Sequence, residues 1–292
     1  MQMMIFGCGY SGKAIARLGL TRGATVSGTT RGEHNAASLA ADGVRALVFD
    51  GAQASPELAL ALSQATHLVQ SIPPGPDGDP LLRLAGHGIR KLCPKLEWIG
   101  YLSTVGVYGD YGGDWVDESN ECRPSPGRSQ ERVAAEAAWL AEGEAAGVPV
   151  AILRLAGIYG PGRNGFVNLQ KGTARRIVKK DQVFNRIRVE DIAEATLFLA
   201  EGRHGGIFNI TDDEPAPPQD VIAEAARLMG VEPPPELPLE TADMTPMARS
   251  FYGANKRISN SKIRKMGFQF RYPEYRMSLR QLWETGLWDD PE

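Results

Sequence analysis

The chain has 292 residues, 42% of them hydrophobic and 23% charged, a balance that excludes a disordered or fibrous protein and allows one large core with a smaller lobe attached. A formal charge of −3 with interspersed acids and bases provides no basic field for a run of phosphates, so nucleic acid is not an expected partner. Cys8, Cys93 and Cys122 form no CxxC pair, so neither a disulfide framework nor a metal site is expected; with no room for a signal peptide at Met1 and no apolar stretch near the roughly 18 residues of a membrane span, the expected location is the cytoplasm, with no membrane partner.

In chain order, short apolar runs at Met3–Phe6, Thr25–Gly28, Val44–Phe49, His67–Ile72, Trp98–Ser103 and Val150–Leu155 alternate with helix-like segments such as Lys13–Leu20 and Arg132–Glu142. Runs of this length and spacing predict buried parallel strands with crossover helices: an α/β, doubly wound parallel sheet of the Rossmann type. After a turn at Gly160–Gly162 the texture changes to a basic stretch, Lys171–Lys180, and a strand-like Arg186–Val189. A helical Asp191–Ala200 and a strand-like Gly206–Ile210 then return to the sheet, and the proline-rich Glu214–Pro218 and Glu232–Pro238 leave it again. The expected division is a dinucleotide-binding domain at 1–161 plus 185–210, with a smaller, interleaved substrate lobe at 162–184 plus 211–292.

Gly7, Gly9 and Gly12 form a GxGxxG turn straight after the first strand, with Tyr10 and Ser11 between them where a helix begins. One glycine permits the tight turn, one lets backbone approach a pyrophosphate, and one lets helix and strand pack closely. The helix N-terminus then offers backbone N–H groups to phosphate. At the end of the second strand an NAD-preferring site places an acid on the ribose hydroxyl; here Gly28, Thr29, Thr30 and Arg31 stand instead, with hydroxyls and a guanidinium suited to an extra phosphate. The expected cofactor is therefore NADP, with NAD the alternative, and a solvated surface arginine is the plainer account of Arg31. Asp50 after the third strand is a candidate for the adenine edge or a simple turn residue. Ser71, opening the Ser71–Gly75 loop, would lie beside the middle of the cofactor or belong to a merely rigid loop.

At Tyr101–Asp110 (YLSTVGVYGD), Arg154–Gly162 (RLAGIYGPG) and Arg188–Asp191 (RVED) the chain, together with its glycine turn, resembles the extended short-chain dehydrogenase/reductase family, in its NAD-dependent epimerase/dehydratase branch. The stretch Lys256–Phe268 is similar to that family's last helical region. The resemblance implies a Ser or Thr after the fifth strand, matched by Thr104, and a Tyr-xxx-Lys pair on the following helix. That pair is missing: anchoring on Glu136 puts Arg132 at the lysine place and Arg128 at the tyrosine place. A tyrosine beside a lysine can exchange a proton near neutrality, whereas an arginine stays charged. Arg132 is then a candidate for holding a ribose hydroxyl and Arg128 for stabilising a developing alkoxide or an anionic substrate, unless both simply face solvent. Tyr108 and Tyr159 are weaker candidates for the acid, and His67 and His87 read as strand-start and helix-surface residues.

Arg163, Asn164 and Arg188 are the candidate substrate contacts, Arg163 and Asn164 because the resemblance implies substrate recognition after the glycine-proline turn, and Arg188 because with Arg163 and Arg186 it forms a set suited to anions; ion pairs with Glu190 and Asp191 are the ordinary alternative. The expected partner is a small molecule, nucleotide-linked or anionic, and the resemblance implies a homodimer. Two functions follow: an NADP(H)-binding oxidoreductase or epimerase/dehydratase-like protein with a modified catalytic centre, or a non-catalytic protein that senses or binds NADP(H).

Overall fold

The computed structural model describes residues 1–86 and 88–290; His87, expected on a helix surface, lies outside the described residues. The chain divides into two compact units, the first made of Met1–Val107, Pro124–Leu155 and Ile192–Phe208, the second of Tyr108–Arg123, Ala156–Asp191 and Asn209–Glu292.

In the first unit, β1 (Gln2–Phe6), α1 (Tyr10–Thr21), β2 (Thr25–Thr30), α2 (Glu33–Ala41), β3 (Arg45–Val48), α3 (Pro56–Gln64) and β4 (His67–Gln70) follow one another. The short α4 (Pro80–Ala85) and α5 (Ile89–Leu92), then β5 (Trp98–Thr104) and the long α6 (Arg128–Ala146), complete the alternation. The parallel sheet has seven strands, in the order Gly206–Ile210, Val150–Leu155, β5, β4, β1, β2, β3. The order reverses between β1 and β4, the place where an open α/β sheet leaves a crevice at its carboxyl ends. Every residue of β4 and of Val150–Leu155 is buried, as strands covered on both faces require.

Local chemistry sets the helix ends. Ser55 accepts the Leu58 N–H and Asp79 accepts those of Leu81 and Leu82, each followed by a proline in the first turn. α6 ends on Gly147 in the left-handed region (φ 62°). It starts at Arg128, earlier than its apolar periodicity indicates, because polar residues fill its first turn. β2 runs on to Thr30, two residues past the apolar run, since Phe49 N–H donates to the Thr30 carbonyl at 2.9 Å. The core beneath the sheet includes Phe6, Leu58, Leu62, Leu68, Ile99, Tyr101, Trp139 and Ile152.

The second unit holds three small parallel pairs: Gly157–Tyr159 with Arg186–Arg188, Arg176–Val178 with Glu236–Pro238, and Trp115–Val116 with Arg257–Ile258. Within the basic stretch, then, lies a strand. The helices Gly165–Gln170, Pro218–Met229 and Tyr275–Thr285 enclose Phe166, Tyr275, Leu279 and Leu282, against which Trp283 and Trp288 pack. No helix among the described residues is long and apolar enough to cross a membrane.

The fully buried Trp98 donates its indole N–H to the His204 carbonyl at 2.9 Å and lies over Gly100, where a Cβ would come within 2.9 Å of ring atom Cζ3. Gly100→Ala is expected to lower stability by about 1–3 kcal/mol through overpacking, measured as a shifted urea midpoint with an unchanged slope.

Candidate functional site

At the carboxyl end of β1 the chain turns on Gly7, whose φ of +87° favours glycine and where a Cβ would stand 2.9 Å from Ile72 Cγ1. Gly12 sits against the turn: its Cβ would meet the Gly7 carbonyl oxygen at 2.6 Å. Gly9, the N-cap of α1, has nothing within 4 Å of a Cβ position and no side-chain cap, so its open face and the helix N-terminus are available to an approaching group. The turn is closed where helix packs on strand and open at Gly9, the shape a dinucleotide-binding glycine turn requires.

Sequence reading missed the brace behind this turn. Buried Thr29 accepts the Gly7 N–H on its hydroxyl at 2.9 Å, and its carbonyl accepts the Cys8 N–H at 2.8 Å. A side chain at Gly28 would collide with Cys8 Sγ. The register Ile5↔Gly28 is the signal that places these residues beside the turn. Burial pushes the Cys8 thiol up to about 12, so it stays protonated and brings no negative charge to a phosphate site.

Tyr10 and Ser11 open α1, half-buried and buried respectively. Thr30 closes β2 half-buried, with Arg31 exposed just beyond it. Asp50 is exposed and accepts the Ala52 N–H at 2.9 Å, a strand-end turn. Ser71 is half-buried and bonded through its N–H to the Phe6 carbonyl, next to Ile72 under Gly7.

At the end of β5, the half-buried Thr104 accepts the Gly106 N–H on Oγ1 at 3.1 Å. Arg128 is the exposed first residue of α6. One turn on, Arg132 donates to the Leu102 carbonyl at 2.7 Å and lies over the Tyr101 ring at 5.7 Å. A second group escaped sequence reading: Glu136 takes the Ser103 hydroxyl in a short hydrogen bond and pairs with Arg154 at 2.7 Å, with both charged side chains about 5% exposed. In the sequence Glu136 and Arg154 stand out only as motif positions; charges inside a buried helix face and an apolar strand are the signal that marks them as a pair.

In the second unit, Arg163 is exposed. Asn164 is buried and uses its whole amide: Oδ1 caps the Gly165–Gln170 helix at Val167 N–H, and Nδ2 donates to the Gly160 and Trp288 carbonyls at 2.8 Å each. Arg188 is fully buried, held by both Glu190 oxygens at 2.6 Å and by Ser278 and Gln281, and stacked on Tyr272 at 4.3 Å. Asp191 accepts the Arg271 and Tyr272 N–H groups rather than those of its own helix. The Tyr108 hydroxyl donates to Asn209 at 2.8 Å, and burial pushes Tyr159 upward, so neither resembles a ready acid.

A model of the NAD dependent epimerase/dehydratase family matches residues 89–211. The chain is 29% identical over 289 residues to Protein YeeZ of Escherichia coli K12, covering 94% of this chain and 97% of that protein. A functionally unknown conserved protein from Silicibacter pomeroyi superposes with a TM-score of 0.87 at 40% identity, over 97% of this chain and 98% of that one. The human epimerase family protein SDR39U1, solved with NADPH, superposes with a TM-score of 0.75 at 18% identity, over 97% of this chain and 99% of that one.

Glu136→Gln leaves the Arg154 guanidinium buried without its counter-charge and is expected to cost about 3–5 kcal/mol in urea unfolding. A second expectation concerns Lys256, buried with Nζ donating to the Gly109 carbonyl at 2.7 Å, its pKa pushed down by burial from 10.5 to about 8. Between these values the unfolded lysine keeps a proton that the folded one has lost, so the contribution of Lys256 to stability rises with pH from about 8 to 10.5, while buried thiols such as Cys8, pushed up to about 12, act in the opposite sense above about 9. The difference in denaturation midpoint between the parent chain and Lys256→Met, in which the thiols cancel, should show the rise across this range.

Proposed function

The chain belongs to the NAD-dependent epimerase/dehydratase family of extended short-chain dehydrogenase/reductases, and from that premise we propose that it is an NADP(H)-binding oxidoreductase or epimerase/dehydratase-like enzyme with a modified catalytic centre. The observation that carries the reading is the cradle at Gly7, Gly9 and Gly12, with Thr30 and Arg31, and no acid, at the end of the neighbouring strand. Gly9 and the α1 N-terminus would hold the pyrophosphate, Arg31 the extra phosphate of NADP(H), and Ser71 the region beyond. Structural neighbours solved with NADPH or with NAD support a nicotinamide dinucleotide, and the choice between the two rests on Thr30 and Arg31. A bound nicotinamide supplies a hydride donor or acceptor.

Thr104 orients the substrate oxygen through its hydroxyl. Arg128, at the head of α6, stabilises negative charge on that oxygen, and Arg132 holds the β5 end through Leu102. Neither arginine gives up a proton, so they bind and stabilise while the proton comes from water or substrate. An exposed Arg163 is the remaining candidate for an anionic substrate, a small molecule.

Arg31→Ala is expected to weaken NADPH binding by about 10- to 100-fold, the worth of a charge-assisted hydrogen bond, with NADH binding little changed. Thermal titration of the parent chain and the variant with both cofactors reads this directly, and equal losses would refute the NADP assignment. NADPH oxidation across a panel of carbonyl compounds and nucleotide sugars tests the enzyme reading: Thr104→Val should lower kcat/KM by about 100-fold or more, and absence of any turnover would overturn it.

A further inference from the structure

The second unit buries polar groups that its own fold leaves unpaired. Asp212, 1% exposed, follows the strand Gly206–Ile210 and is tied to Arg186 through its N–H, which donates to the Arg186 carbonyl at 2.8 Å. Its Oδ1 accepts the Glu214 N–H at 3.3 Å, while Oδ2 is buried with no hydrogen-bond partner. Tyr275, fully buried at the head of the Tyr275–Thr285 helix, likewise has a hydroxyl without a partner. Arg186 is a neighbour of Tyr275 too: its guanidinium stands 5.8 Å from the centre of the Tyr275 ring, and Nη1 donates to the Phe184 and Ala216 carbonyls at 2.9 and 3.1 Å. Its Nε and Nη2 find no acceptor among the described residues, and Arg186 remains partly accessible where Asp212 and Tyr275 are not.

Arg186 and Asp212 are each other's strongest charge neighbour, yet they make no ion pair within 4.0 Å. Burial drives the Asp212 carboxyl well up, and Arg186 holds it back only in part. An unpaired buried polar group is costly, so a carboxylate oxygen and a phenol left unpaired near a guanidinium whose Nε and Nη2 have no acceptor call for a partner from outside the chain. A guanidinium edge takes a carboxylate in a forked pair, and a carboxylate oxygen behind it takes a donor.

We propose that Arg186, Asp212 and Tyr275 form a binding site for a small carboxylate carrying a hydroxyl or ammonium group on the adjacent carbon. The ligand carboxylate sits on the Nε and Nη2 edge of Arg186, its donor reaches Asp212 Oδ2, and the Tyr275 hydroxyl completes the contacts. The site stands apart from the dinucleotide reading, whose titration in the same sample is scored separately.

The test is saturation-transfer NMR and thermal titration of the whole chain with glycolate, glycine and acetate. Glycolate or glycine is expected to bind at least about tenfold more tightly than acetate, which lacks the donor. Which of the two binds identifies the donor as hydroxyl or ammonium. Asp212→Asn should erase the margin over acetate, and Arg186→Gln should abolish binding of all three. Tyr275→Phe keeps the ring packing and should weaken the preferred ligand by about tenfold, so the proposal stays testable if a charge variant fails to fold. Equal binding of all three by the parent chain, or binding of none, overturns it and leaves ordered water as the partner of these groups.

Discussion

Glu136 brings a negative charge into the interior of the first unit, and the surrounding elements are arranged to neutralise it. Arg154 from the strand Val150–Leu155 and the Ser103 hydroxyl from β5 converge on one carboxylate carried by α6. Removing two charges from water costs several kcal/mol each, repaid only when geometry and hydrogen bonding are nearly complete. Such a pair tolerates little sliding, so it sets the rotation of α6 and the height at which it crosses β5. Arg132, four residues earlier on the same helix face, then falls on the Leu102 carbonyl, and Thr104 follows as the strand ends. The position of the candidate catalytic residues is thus inherited from a buried ion pair.

The opposite side of the crevice is set by exclusion. Three contacts leave no room for a side chain: Gly7 on Ile72, Gly12 on the Gly7 carbonyl, and Gly28 on Cys8. Gly12 lets the helix backbone come close to the Gly7 carbonyl, Gly7 and Gly28 make room for the Ile72 and Cys8 side chains, and Thr29 hydrogen-bonds to the turn so placed. What remains open is Gly9 and the first turn of α1, whose partial positive charge and N–H groups face outward. The same packing that joins helix to strand therefore leaves the uncapped α1 N-terminus as its exposed remainder.

Much of this was legible in the residues. Apolar runs separated by amphipathic segments identify the sheet because strands buried on both faces cannot alternate polar and apolar positions. The glycine spacing identifies the turn because only glycine tolerates those approaches. What stayed hidden depends on which distant side chains meet. Asn164 looks like a substrate contact by its place after a glycine turn, yet its amide is consumed by a helix cap and the Trp288 carbonyl, over a hundred positions away. Arg188 looks like an anion clamp, yet it is enclosed by Glu190, Ser278 and Gln281. Tyr108–Arg123 follows β5 directly but belongs with the second unit, through Tyr111 on Asn255 and Lys256 on Gly109, contacts that no local pattern announces.

In the proposed reading Arg128 and Arg132 stand where the resembling family has a tyrosine and a lysine, and that exchange changes the chemistry such a site would offer. A phenol near a lysine stores a proton whose release can follow the reaction; two guanidiniums store none, but they hold a constant positive field. Arg128 adds to that field from the N-terminal end of α6, where the helix dipole is also positive and opposes a cation. In that reading such a field would lower the energy of an oxyanion without supplying a proton, so the pH dependence of the proposed reaction would belong to the substrate or to water, with the arginines setting its magnitude and not its midpoint.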